Sequence, residues 1–174
     1  MERVEDFNLG NELSVYGGFM GQATGSDRDR LILNAQDQQG LFILPGRFAL
    51  SQVGVTGRLA NGKWENALFY TNFNLFWKTT WLYPQTWVGH LEANTSKGLD
   101  RDNQIILGGN NGLRGYKNFS FVGGRSVLLN VENRFFFPGE YFHLVRFGGA
   151  AFFDSGCVVP EGSGFSLTRA KSDV

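Results

Sequence analysis

Cysteine occurs once, at Cys157, so no intrachain disulfide framework can staple this chain. Near the end of an alternating stretch, that thiol reads as a small apolar side chain rather than a nucleophile. Only 4 residues are proline and 18% are charged; 16 basic residues balance 16 acidic ones. Without a basic excess to neutralise phosphates, nucleic acid is excluded as a partner. No run approaches the roughly eighteen apolar residues of a spanning helix. A transmembrane barrel stays open, because its strands need only about ten alternating residues. The opening MERVEDFNLGNE has no basic-then-apolar leader, so it reads as cytosolic or as an internal stretch of a longer protein.

What the chain does have is 24 glycines and 15% aromatic residues among its 174, a composition suited to many strands and short turns. Apolar residues recur with period two, and no helical period persists. About seven strands are expected, near 7–20, 30–43, 47–59, 64–78, 85–95, 125–137 and 143–157. Most set an apolar face against a polar one, less cleanly over 30–43. Phe69, Phe73, Leu75 and Trp77 oppose Tyr70, Asn72 and Asn74; Val127, Leu129 and Val131 oppose Ser126, Asn130 and Glu132. The phase of 47–59 is ambiguous. Pro45-Gly46 and Asn61-Gly62 mark tight turns, the second the stronger hairpin signal. Residues 96–124 form a connection too long for a hairpin, and the tail 158–174 carries no strand pattern.

Several of these strands exceed the 5–6 or so residues usual in soluble sheets. Trp77, Trp81, Tyr83 and Trp87 gather around one turn, and Phe135, Phe136, Phe137, Tyr141 and Phe142 around another. Aromatic girdles at a membrane interface have this arrangement, and polar faces of mixed charge suit a water-filled lumen.

The long connection contains GGNNGLRGYKNF, residues 108–119, which presents Arg114 from a glycine-rich loop. It lacks the Lys-Ser/Thr ending and following helix of a phosphate loop. His90 and His143 lie on different strands without a second ligand at metal spacing. Asn94-Thr95-Ser96 and Asn118-Phe119-Ser120 match a glycosylation sequon by chance. No Gly-x-Ser-x-Gly elbow occurs. Catalysis, cofactors and metals are therefore not expected.

Leu113-Arg114-Gly115-Tyr116, then Asn130-x-Glu132-x-Arg134, then Phe152-x-Asp154-x-Gly156 resembles the C-terminal half of a known barrel. That family is the bacterial surface antigen superfamily, the outer-membrane assembly and translocation proteins of the BamA/TamA type. The likeness is specific over about 105–157 and generic before it, although Glu2 to Gly10 resembles an opening motif of some members. It implies an all-β fold: an antiparallel transmembrane β-barrel fragment, the seven strands matching roughly the seventh to thirteenth of sixteen. It further implies that Arg114 enters the lumen and pairs with Glu132 and Asp154, with Phe152 beside the guanidinium. All three lie on the polar phase that alternation assigns independently. Along a simple hairpin Glu132 and Asp154 differ in height, which leaves open whether Arg114 holds one or both.

The chain departs from the family by ending in Ala170-Lys171-Ser172-Asp173-Val174 rather than in an aromatic-ended strand. The family's periplasmic repeats and first strands are also missing. An odd number of strands cannot close an ordinary even-numbered barrel and would leave two unpaired edges, so a partial sequence unable to insert alone is expected. The resemblance implies a non-enzymatic role in the bacterial outer membrane, inserting or translocating other proteins. Implied partners are the lipid bilayer, client outer-membrane or secreted proteins, and assembly-machinery lipoproteins. Alternative readings are a two-partner secretion or lipase-fused transporter barrel, a soluble β-sandwich binding module, and an outer-membrane enzyme or porin.

Overall fold

Short turns set the register of most of the sheet. A computed structural model of the chain describes residues 9–137, 139, 145, 147–165 and 170–173. Ten strands are present among them: β1 (Asn11–Met20), β2 (Arg30–Leu44), β3 (Arg47–Ala60), β4 (Lys63–Thr79), β5 (Gln85–Lys97), β6 (Ile105–Leu107), β7 (Phe121–Gly123), β8 (Arg125–Phe136), β9 (Gly148–Val159) and β10 (Lys171–Asp173). Asn61 and Gly62 both take positive φ, 50° and 73°, as a two-residue turn matching strand twist requires. Gly46, φ 74°, does the same between β2 and β3.

The strands form one open antiparallel sheet of eight in the order β1-β2-β3-β4-β5-β8-β9-β10, with β6 and β7 paired as a separate ribbon. The fold is therefore all-β and antiparallel. The tail is not wholly irregular, as its sequence suggested: Lys171, Ser172 and Asp173 pair with Gly156, Ser155 and Asp154 of β9. Three residues are too few to show period two, so only the neighbouring edge reveals them. The long connection likewise contains the β6–β7 ribbon. The expected start of the first strand at 7–8 and most of the turn before Phe147, with Tyr141, Phe142 and His143, lie outside the described residues.

The ambiguous phase of β3 has its cause in the strand's own residues. The register shift against β4 between Thr56 and Arg58 is not that cause: there Asn66, φ 47°, and Ala67 of β4 face Gly57 alone. The extra residue of that bulge belongs to β4, and β3 itself stays in continuous register with β2 from Phe48 to Leu59. Its phase is ambiguous because Arg47 and Ser51 share a face with Val53 and Val55 while Phe48 and Leu50 take the other.

Two faces result. One carries the long connection, packed through Leu107, Leu113 and Leu128 with Tyr116, Phe121 and Val158 around them. The other is open and apolar, with Leu13 67%, Phe19 66%, Leu31 54%, Phe69 43% and Leu91 44% exposed. At one end of the open face Trp77 pairs directly opposite Trp87, and the Arg47 guanidinium lies 4.2 Å from the Trp77 ring centroid.

Candidate functional site

The connection between β5 and β8 is fastened at its base before it reaches the site. Ser96 donates through both its backbone N–H and its hydroxyl to the Gly124 carbonyl, at 2.9 and 2.6 Å. Inside it, a short 3₁₀ turn over Gly109–Asn111 ends at Gly112, φ 98°. A Cβ on Gly112 would sit 2.2 Å from Leu128 Cδ2, so glycine is required there by both backbone and space. The next residue, Leu113, is completely buried, and the Tyr116 N–H closes a turn onto its carbonyl at 3.0 Å. That turn thrusts Arg114 from an anchored leucine toward β8 and β9.

Arg114 is held on four sides. Its Nε and Nη2 donate to the two oxygens of Asp154 at 2.8 and 2.9 Å, and its backbone N–H donates to Asp154 Oδ2 at 3.2 Å. Its Nη1 donates to Glu132 Oε2 at 2.6 Å. The guanidinium carbon lies 3.9 Å from the Phe152 ring centroid, a stacking contact of ~0.5–2 kcal/mol. Bidentate Arg–carboxylate pairs are the stronger, more geometrically specific kind. The hydrogen bonds to Asp154, opposed by burial, push the Arg114 pKa above its already high ordinary value.

Both acids are within reach because of the strand register. Asn130 pairs with Asp154 and Glu132 with Phe152, so the carboxylates are diagonal neighbours on the face that carries the connection. Asp154 has no exposed surface.

Three further participants were not assigned from sequence. Asn130 donates to the Gly112 carbonyl at 2.6 Å and to Asp154 Oδ1 at 2.7 Å, joining loop to acid. Arg134 donates to Glu132 Oε1, balancing that carboxylate's second oxygen. Both stand in the Asn-x-Glu-x-Arg pattern, where same-face spacing was the available signal. The third is β10. Tyr116 Oη donates to the Ser172 carbonyl at 3.1 Å, and a Cβ on Gly115 would lie 2.0 Å from Asp173 Oδ2. Glycine at 115 leaves room for the Asp173 carboxylate of this tail strand, a contact that nothing local encodes.

His90 is also on this face, with Nδ1 2.8 Å from Asn74 Oδ1 and Nε2 3.6 Å from Glu92 Oε2. No group of three or more His, Cys, Asp or Glu able to hold a metal occurs among the described residues. The site as a whole is a charge-paired clamp that fixes a loop against a sheet. Compared with family models, curated proteins and solved structures, the chain matches none of them.

Proposed function

We propose that this chain is part of an outer-membrane β-barrel of the surface-antigen type, which inserts other proteins into that membrane or translocates them across it. The single observation carrying the reading is the clamp: a loop arginine bonded to Asp154 and Glu132 and stacked on Phe152. Three further features support it. The strands of the sheet run from 10 to 17 residues over β1–β5, lengths suited to tilted spanning strands. The open face is broadly apolar, larger in character than a water-exposed sheet tolerates. Trp77 and Trp87 pair at one end of it, next to the turn that carries exposed Trp81, as interfacial anchors do.

In this reading the clamp holds the loop inside the lumen and braces the wall formed by β8 and β9, while client strands engage a seam elsewhere in the barrel. The role is positional and electrostatic, not catalytic. Charge reversal tests it. In a complete barrel that contains this sequence, Arg114→Glu should abolish the folded, heat-modifiable form in outer-membrane fractions, and adding Asp154→Arg should restore a substantial part. Normal assembly of Arg114→Glu defeats the proposal.

A further inference from the structure

On the open face, at the end of the sheet away from Trp77 and Trp87, lies a cavity of about 410 Å³. Val55, Phe69, Thr95 and Arg125 line it as one paired row across β3, β4, β5 and β8. Lys97, the last residue of β5, and Glu161 complete its rim. Val55, Leu68 and Phe69 give one side of the cavity a hydrocarbon wall, and two cations stand with Glu161 where the apolar band ends.

Arg125 is oriented rather than loose. Its Nε donates to Thr95 Oγ1 at 2.9 Å and its Nη1 to the Ser163 carbonyl at 2.9 Å, with the Phe165 ring centroid 5.9 Å from the guanidinium carbon. All its partners are neutral. Neither Arg125 nor Lys97 forms an ion pair among the described residues, so the remaining Arg125 donors keep an unbalanced charge beside the cavity. Glu161 is turned to the loop base, where its Oε2 accepts from the Gly98 N–H at 3.0 Å.

We propose that this rim cavity binds the phosphate of a membrane lipid, with the acyl chains lying along Val55 and Phe69. An oriented guanidinium suits phosphate oxygens as a planar fork, and an ammonium beside it adds a point charge. Long cationic side chains at the edge of an apolar band reach the headgroup layer. The inference rests on the reading of the open face as bilayer-facing.

The test uses the full chain in nonionic detergent, with native mass spectrometry of retained dioleoyl phosphatidic acid or dioleoylglycerol. The unaltered protein should retain phosphatidic acid preferentially, and millimolar inorganic phosphate should not displace it. A Lys97→Gln, Arg125→Gln double variant should lose about tenfold in phosphatidic acid retention, as expected for one or two charge-assisted hydrogen bonds, with dioleoylglycerol unchanged. Lys97→Gln alone touches no side-chain contact of the described fold and should show a smaller loss in the same direction. Equal retention of the two lipids, an unaffected double variant, or displacement by inorganic phosphate would overturn the site. Flotation with phospholipid vesicles, which needs only association of the open apolar face and not barrel closure, separates the two levels: a chain that does not float refutes the bilayer-facing surface and the site together. One that floats without discriminating between the lipids refutes the site only.

Discussion

Removing Asp154 should release the loop before it unfolds the sheet. The carboxylate accepts from Arg114 N, Nε and Nη2 and from Asn130 Nδ2, at 3.2, 2.8, 2.9 and 2.7 Å, with no surface of its own in contact with solvent. Breaking a fully buried pair costs ~3–5 kcal/mol. Arg114, however, is 38% exposed and keeps Glu132, so solvent screening lowers the expected cost of Asp154→Ala to about 2–3 kcal/mol. A double-mutant cycle with Arg114→Ala should give a coupling of about 2 kcal/mol for Arg114–Asp154. The Arg114–Glu132 coupling should stay below about 1 kcal/mol, because one bond is lost and Arg134 still balances Glu132. Urea unfolding followed by tryptophan fluorescence measures the stability change. Trypsin cleavage after Arg114 or Lys117 reports loop release, and in Asp154→Ala it should accelerate at urea concentrations where the tryptophan signal is still native. Equal couplings for the two acids, or an Asp154→Ala loop as protease-resistant as the unaltered one, would refute the reasoning.

Gly115→Ala should turn the Asp173 carboxylate aside and loosen the tail strand, since the new Cβ meets that carboxylate at 2.0 Å. Hydrogen exchange at 171–173 should quicken, and Asp173→Gly should relieve the clash at Gly115; unchanged exchange in Gly115→Ala argues against the contact. Gly54→Ala places a Cβ 2.3 Å from Tyr70 Cζ and should cost about 1–3 kcal/mol in urea unfolding, a penalty that a Tyr70→Ala background removes. Asp27 gives a pH dependence. Its side-chain hydrogen bond with Arg30, opposed by burial and aided by the charges of Arg30 and Arg28, lowers its pKa below 3.8. A depressed folded pKa stabilises above the unfolded value, so this contribution is complete above about 3.8 and fades as pH falls through the lowered pKa. Proteolysis of loop 21–29 by an acid-active protease should rise in that window, and Arg30→Gln should remove the pH dependence.

Much of the architecture was legible because alternation is a property of adjacent residues. β2 through β5 and β8 fall within two residues of their expected bounds, since every pleat sends neighbouring side chains to opposite faces. The same parity placed Glu132, Phe152 and Asp154 on one face. It failed at β3, where Phe48 and Leu50 share the face of Gln52 and Thr56 while Arg47 and Ser51 share that of Val53 and Val55, so neither face reads as apolar. It was silent on β10, whose three residues acquire strand geometry only by pairing with β9.

The residues themselves determined strands, turns and faces, together with the loop arginine and the acids chemically fit to hold it. Only tertiary structure decided that Arg114 meets both acids, because that depends on how β8 and β9 register across contacts 18 and 40 residues apart in the chain. It also decided that Gly115 leaves room for Asp173 and that Arg125 faces a cavity. Those are consequences of backbone from distant segments arriving at one place, and no local pattern carries such distances.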